Sequence, residues 1–208
     1  MSKIYDISPL ISPRLAVWTG DTAPSREVLG DLAKGDTVTL STLRATVHLG
    51  SHADAPSHYA IQGRTIEHQP LDRYLGPAQL IDCPVAKNSR VTPADLRDTP
   101  NRPRIILRTS TYPDSTNFNQ DFAGLSVELI DFLASQGVIT IAIDTPSVDL
   151  FSSKDLPAHH ACYRHDLAIL EGLVLEGVPT GHYEMIALPL KLEGFDASPI
   201  RAILRRED

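Results

Sequence analysis

The sequence lacks the features of several large protein classes. It has only two cysteines, Cys83 and Cys162, and no C-x-x-C pair, which argues against a disulfide scaffold and against a thiolate zinc site. No apolar run approaches the ~20 residues of a membrane-spanning helix. No cluster of Lys and Arg is present, and the formal net charge is −7. We therefore expect neither a membrane nor a nucleic acid as a partner.

The composition and the N-terminal residues predict a folded, cytoplasmic protein. Hydrophobic residues make up 42% of the chain and charged residues 22%, which are ordinary proportions for a globular protein. The first residues contain no apolar signal-peptide core, and a low cysteine content suits a reducing compartment. The length of 208 residues allows one domain, 1–208, with a substantial core.

Local patterns predict a mixed α/β fold with more strand than helix. The segments predicted as strands are 37–47, 79–82, 104–109, 138–143, 167–175 and 183–189. Ser126 is suited to cap a helix that reaches Ser135, and Gly137 is suited to end it. Further short helices are predicted to begin at Thr92–Pro93 and near Pro157.

Histidines carry the first functional signal, because three of them and an aspartate fall within eleven residues. His48, His52, Asp54 and His58 offer imidazole and carboxylate groups, which are the ligands that Zn²⁺ and neighbouring metals prefer. On one straight strand, His48 and Asp54 would lie ~20 Å apart and could not share an ion. The chain must therefore turn back near His48, and Gly50 provides the backbone freedom for that turn. Surface loop histidines are the alternative, but chance accounts poorly for this grouping, so we predict a metal site.

A second group of candidate ligands occurs later in the chain. His159 and His160 precede an apolar stretch in which Glu171 is the only acid. A carboxylate at that position is either exposed at a strand edge or buried beside a cation, since an unpaired buried carboxylate is unfavourable. A metal ion is one such cation, so both interpretations of Glu171 remain open from its position alone.

Together these residues resemble the cyclase-type metal-dependent hydrolases, and most closely the bacterial kynurenine formamidases. The family pattern H-x-G-T-H-x-D-A-P-x-H is matched from His48 to His58, with Ser51 in place of the usual threonine. Further matches include D-I-S-P at 6–9, I-D-T-P-S-V-D at 143–149 and D-A-S-P-I-R at 196–201, so the resemblance covers nearly the whole chain. It implies a swivelling β/β/α fold and a homodimer.

The resemblance also implies a site with two Zn²⁺ ions in each subunit. The implied ligands are His48, His52, Asp54, His159 and Glu171. Asp54 would bridge the two ions, and Glu171 would contact both. The family places its second histidine twelve positions before its glutamate, a spacing that matches His159 and leaves His160 as the alternative.

The remaining roles follow the same resemblance. His58 corresponds to the catalytic acid/base and Trp18 to an aromatic substrate contact, although Thr19 stands where the family usually has proline. Packing of Trp18 in the core is the alternative for that residue. The implied reaction is hydrolysis of N-formyl-L-kynurenine to L-kynurenine and formate, a step of tryptophan breakdown.

Three other functions are alternatives to this one. A serine hydrolase is disfavoured because the chain has no G-x-S-x-G elbow. Another cyclase-type hydrolase, such as an isatin hydrolase or a lactonase, would use the same ligands with a different substrate pocket. A metal-binding module without turnover is disfavoured because a closed structural zinc site has four ligands and no use for the additional imidazole of His58.

Overall fold

A nine-stranded mixed sheet organises the chain in the computed structural model, which describes residues 3–206. The strands are β1 (Ile4–Asp6), β2 (Ser25–Gly30), β3 (Leu40–Arg44), β4 (His52–Asp54), β5 (Leu75–Asp82), β6 (Arg90–Val91), β7 (Arg104–Arg108), β8 (Gly124–Leu125), β9 (Thr140–Ile143), β10 (Ala168–Glu171), β11 (Gly181–Ile186), β12 (Ala197–Pro199) and β13 (Ile203–Arg206). The α-helices are α1 (Val127–Ser135) and α2 (Pro157–Arg164). Short 3-10 turns lie at Leu32–Lys34, Pro56–His58, Ile66–His68, Leu71–Arg73 and Pro93–Asp95.

The large sheet has a parallel centre and antiparallel edges. Its strand order is β1-β13-β11-β5-β7-β9-β10-β4-β12, and β5, β7, β9 and β10 run parallel to one another. On one side β4 pairs antiparallel with β10, and β12 pairs antiparallel with β4. This arrangement places the short strand β4 between two strands that come much later in the sequence.

Two hydrophobic clusters lie on the two faces of the sheet. Alternate strand residues separate them: Ile105 and Ile141 face α1 and α2, whereas Ile106 and Ala142 face the other cluster. The cluster that contains Ile106 and Ala142 draws side chains from strands β4, β5, β7, β9, β10, β11 and β13 and from neither α-helix. The sheet must therefore curl around its own side chains on that face.

The β-rich α/β fold predicted from the sequence is confirmed, although several strands are shorter than predicted and the strand predicted at 79–82 is longer, Leu75–Asp82. The segments 37–47 and 167–175 form strands only over Leu40–Arg44 and Ala168–Glu171. Helix α1 begins after Ser126, whose hydroxyl accepts a hydrogen bond from Leu129 N at 3.1 Å. The short helix predicted after Thr92 is present as a 3-10 turn, with Thr92 as its N-cap.

Strands β2 and β3 form a separate hairpin that pairs with no other strand within residues 3–206. The hairpin exposes many large apolar side chains, namely those of Val28, Leu29, Leu32, Val38, Leu40 and Leu43. Neither α-helix among the described residues is long and apolar enough to cross a membrane.

Candidate metal centre

Two antiparallel strands bring three of the predicted ligands together. The register of β4 and β10 places His52 opposite Glu171, and side chains two positions apart on a strand share a face, so Asp54 lies beside them. All three residues are at most 3% exposed. Nε2 of His52 lies 3.2 Å from Oε2 of Glu171 and 3.5 Å from Oδ1 of Asp54. Glu171 is therefore buried beside candidate ligands and is not exposed at a strand edge.

A tight turn brings His48 back to the same place. Gly50 adopts φ = +56°, the left-handed conformation that the sequence pattern required of it. The hydroxyl of Ser51 donates a hydrogen bond to the Gly172 carbonyl at 2.8 Å, which ties the turn to the end of β10. As a result, Nδ1 of His48 lies 3.1 Å from Oδ1 of Asp54.

Helix α2 supplies the last member of the cluster. Asp149 accepts hydrogen bonds from the backbone N–H groups of Ala158 and His159 and from Nδ1 of the His159 ring, the last at 2.8 Å. Nε2 of His159 then lies 3.5 Å from Oδ2 of Asp54 and 3.6 Å from Oε1 of Glu171. His160 is exposed, whereas His159 is 2% exposed. The structure therefore places His159, and not His160, in the cluster.

The hydrogen bonds of the three imidazole rings show where their lone pairs point. In each ring the outer nitrogen faces a group that accepts hydrogen bonds: His48 Nε2 faces Asp196 at 3.0 Å, His52 Nδ1 faces the Gly50 carbonyl at 3.0 Å and His159 Nδ1 faces Asp149 at 2.8 Å. An ionised carboxylate or a carbonyl cannot donate, so each outer nitrogen carries the proton. In the neutral rings, the inner nitrogens therefore direct lone pairs toward Asp54 and Glu171.

This convergence of lone pairs fits a bound cation. Both carboxylate oxygens of Asp54 are buried, and neither has a hydrogen-bond partner among the described residues. Two ligand atoms that are each about 2.0–2.2 Å from a tetrahedral ion lie about 3.3 Å apart. The inner nitrogens lie 3.1–3.6 Å from the carboxylate oxygens of Asp54 and Glu171, so the donor set fits one or more divalent metal ions.

In the metal-free cluster, the pKa values of the histidines reflect an excess of negative charge. Burial lowers the pKa of His48 and of His159, but the carboxylates outweigh burial and raise these pKa values to about 9 and about 10. Asp54 and Asp196 contribute most at His48, and Asp149 and Asp54 at His159. Burial alone would raise the pKa of Asp54, but His159 and His48 hold it well below its usual value. Protons thus occupy the place that a metal would take.

The cluster opens into a cavity of about 640 Å³, within the size range of small-molecule sites. His48, His52, His159 and Glu171 lie in its lining. Aromatic side chains line another part, where Trp18 packs against Phe118 and Phe151 with ring centroids 5.4 and 5.0 Å apart. Trp18 is 37% exposed and is therefore not a core residue.

His58 lines the same cavity from the 3-10 turn that follows β4. Its ring centroid lies 4.2 Å from that of His48, and its Nδ1 lies 3.3 Å from Oδ2 of Asp196. Sequence analysis assigned no role to Asp196, although the D-A-S-P-I-R match that begins with this residue drew attention to the segment. The structure thus gathers the five implied ligands in one cluster and places His58 and Trp18 in the cavity beside it.

Comparisons with known proteins find a matching family and similar structures. The family model described as putative cyclase matches residues 5–150. A protein of Maricaulis maris (strain MCS10) named kynurenine formamidase is 43% identical over 207 residues, which cover 99% of each chain. A solved structure described as a potential metal-dependent hydrolase with cyclase activity is 29% identical, with a TM-score of 0.84 and all of both chains covered. Isatin hydrolase A from Labrenzia aggregata shares the fold, with a TM-score of 0.86, 21% identity and coverage of 100% of this chain and 94% of that one.

Proposed function

We propose that this chain, a hydrolase that belongs to the cyclase family, hydrolyses N-formyl-L-kynurenine to L-kynurenine and formate. The reaction would be a step of tryptophan degradation through the kynurenine pathway. The observation that carries the proposal is the cluster of imidazoles and carboxylates at the base of an aromatic-lined cavity, in a chain that is 43% identical to a protein named kynurenine formamidase. The two buried, free cysteines are in keeping with the reducing cytoplasm that we propose as its location.

We assign the metal ligands on the distances within the cluster. Oδ1 of Asp54 faces His48 and His52, and Oδ2 of the same carboxylate faces His159. Glu171 likewise directs one oxygen toward His52 and the other toward His159. With two carboxylates shared in this way, these five residues would hold two ions, and imidazole and carboxylate ligands suit Zn²⁺. Bound Zn²⁺ lowers the pKa of a coordinated water to about 7 and polarises a carbonyl oxygen.

His58 is the proposed general acid and base. Its Nδ1 faces a carboxylate oxygen of Asp196, so Nε2 of the neutral ring is free to accept a proton. His58 would take a proton from the attacking water and return it to the aniline nitrogen as the C–N bond of the formamide breaks. Formate then carries away the oxygen of that water. An imidazole suits both steps because its ordinary pKa lies near neutral pH.

The aromatic wall is the proposed site for the aniline ring of the substrate. Phe118 and Phe151 pack on Trp18 and fix the plane of its indole, while part of the indole remains open to the cavity. A flat aromatic ring gains contact area and favourable ring geometry against such a wall. Trp18 is accordingly the proposed substrate contact.

Formate release tests the proposed reaction directly. Purified protein loaded with zinc is expected to release formate from N-formyl-L-kynurenine, to lose this activity after chelation and to regain it when zinc is restored. A folded, zinc-loaded protein that releases no formate would contradict the proposal. Isatin and a panel of lactones, assayed in parallel, would then identify the alternative cyclase-type activities.

The β2–β3 hairpin supports a homodimer as the working assembly. Its apolar side chains are exposed, and its three basic and three acidic residues between positions 25 and 44 balance each other. A neutral, apolar surface suits contact with a second copy of itself, since a two-fold interface uses the same patch on both subunits. We therefore propose that the hairpin contacts a second copy of the chain.

A further inference from the structure

Asp196, the residue before β12, reaches the side of the ligand cluster from a distant part of the sequence. Ala197 pairs with Asp54, and the carbonyl of Asp196 accepts a hydrogen bond from the backbone N–H of Ala55 at 2.8 Å. These backbone contacts hold Asp196 beside the strand that carries His52 and Asp54. Because they involve only the backbone, a change of the Asp196 side chain leaves them in place.

A single oxygen of Asp196 faces two histidines with different proposed roles. Oδ2 lies 3.0 Å from Nε2 of His48 and 3.3 Å from Nδ1 of His58. A carboxylate oxygen has two lone pairs and can accept from both rings at once. The two ring centroids lie 4.2 Å apart, so the same oxygen fixes both rings side by side.

We propose that Asp196 is a positioning residue that holds His48 as a metal ligand and His58 as the acid and base. The inference rests on the proposed function, because it concerns the same reaction. By accepting a hydrogen bond from Nε2 of His48, Asp196 keeps the lone pair of Nδ1 directed toward Asp54, where a metal would bind. By accepting a hydrogen bond from Nδ1 of His58, Asp196 keeps Nε2 of that ring free to take a proton. In this role Asp196 only accepts hydrogen bonds, and no proton passes to it.

Without this carboxylate, the tautomer of His58 and the orientation of the His48 ring are no longer fixed. His58 can then carry its proton on either nitrogen, and only the form with a free Nε2 can act as the base. His48 can rotate away from Asp54, because its outer nitrogen no longer has an acceptor. Residues that orient metal ligands in this manner contribute about 10–100-fold to metal affinity or activity.

A kinetic cycle tests the connection between Asp196 and His58. With zinc at saturation, Asp196→Ala is expected to lower kcat by about 10–100-fold with little change in KM. Asp196→Asn retains an acceptor oxygen and is expected to recover part of this loss. Saturating zinc offsets the weaker metal binding expected through His48, so the double variant His58→Ala/Asp196→Ala is expected to be no slower than His58→Ala alone. Glu193→Ala, at an exposed acid three residues earlier, is the matched control and should match the parent.

Two outcomes of the cycle would overturn the proposal. In the first, zinc-saturated Asp196→Ala keeps the kcat of the parent. In the second, the losses from His58→Ala and Asp196→Ala multiply in the double variant, which would show that the two residues act independently.

Two further measurements need no turnover. In ¹⁵N NMR spectra of the zinc-loaded parent, the ring nitrogens of His58, assigned with His58→Ala, should show the proton on Nδ1. In Asp196→Ala the proton should be shared between both nitrogens, and chelator competition should show zinc bound about 10–100-fold more weakly. An unchanged tautomer or an unchanged zinc affinity would contradict the proposal. If the parent releases no formate, the proposed function fails, whereas these measurements still decide the role of Asp196.

Discussion

At the scale of single residues, the chemistry depends on which protons the rings carry. Each of the three imidazoles in the cluster directs an outer nitrogen at an acceptor and an inner nitrogen at Asp54 or Glu171. Outer acceptors of this kind set the tautomer of a metal-bound histidine. Asp149, Asp196 and the Gly50 carbonyl therefore orient the rings that would bind the metal.

Replacement of His58 separates catalysis from metal binding. His58→Ala is expected to lower kcat by about 10²–10⁴-fold, because a general acid and base is lost. Zinc content, measured by atomic emission, should remain at the parental level. His68→Ala, which removes an exposed histidine that is not part of the cavity lining, is the control and should match the parent. Since a ring nitrogen of His58 lies within 4.8 Å of ligand atoms of His48 and Asp54, a parallel loss of zinc would instead make His58 a ligand.

Metal uptake should be strongly dependent on pH. In the metal-free protein the pKa values of His48 and His159 are raised from 6.5 to about 9 and about 10, so both rings are charged at neutral pH. A metal displaces these protons, so its affinity should rise by about tenfold per pH unit for each imidazole that gives up a proton. Chelator competition between pH 6.5 and pH 8.5 measures this slope.

The same pKa values fix the sign of the effect on stability. A raised pKa stabilises the metal-free fold fully below pH 6.5, and this contribution is lost as the pH rises through 9 to 10. The difference in Tm between zinc-loaded and chelated protein should therefore widen from pH 6.5 to pH 9. A difference that narrows over this range would contradict the assignment of the two rings.

At the scale of elements, the close approach of two turns holds the site together. Gly172 ends β10 with φ = +67°, and a Cβ atom on it would lie 2.2 Å from the Gly50 carbonyl oxygen. Gly50 in turn precedes the strand that carries His52 and Asp54. A side chain at position 172 would therefore push the two ligand-bearing strands apart.

A pair of glycine variants isolates this contact. Gly177 has φ = +71°, and a Cβ atom there would meet nothing within 4 Å. Gly177→Ala should cost about 1–2 kcal/mol of folding free energy from its backbone conformation alone. Gly172→Ala should cost more than Gly177→Ala and should also lower zinc content. Denaturant unfolding measures the first difference, and equal losses in the two variants would show that the contact has no effect.

Local sequence patterns predicted helix α1 better than they predicted strand β4 or the contact between Asp196 and His48. Ser126 and the apolar positions after it were sufficient to place α1, because caps and periodicity act over a few residues. Strand β4 was not predicted, since three residues between a turn and a proline carry no periodic signal. Asp196 lies 148 positions from His48, and only the pairing of β12 with β4 reveals that the two side chains meet.

At the scale of the whole molecule, the exposed hairpin makes a prediction about assembly. Arg26 pairs with Leu43, so Val28 and Leu43 share one face of the hairpin. The parent should sediment as a dimer of two 22.7 kDa chains, and Val28→Lys/Leu43→Lys should shift it toward the monomer by removing apolar contact and adding like charges. Ile61→Lys, at an apolar residue that is 99% exposed outside the hairpin, is the control and should remain dimeric. A parent that is monomeric at micromolar concentration would contradict this prediction.

Because β4 pairs with strands from much later in the sequence, the residues of the site are synthesised at widely separated times. The turn and strand that carry His48, His52 and Asp54 leave the ribosome early, whereas their sheet neighbours β10 and β12 begin at residues 168 and 197. At about 5–20 residues per second, synthesis of the 143 residues from Asp54 to Ala197 takes about 7–30 s. During that interval the three side chains are attached to a nascent chain with no strand on either side of them. The ligand cluster is therefore completed late in folding, although three of its five implied ligands are encoded within the first 54 residues.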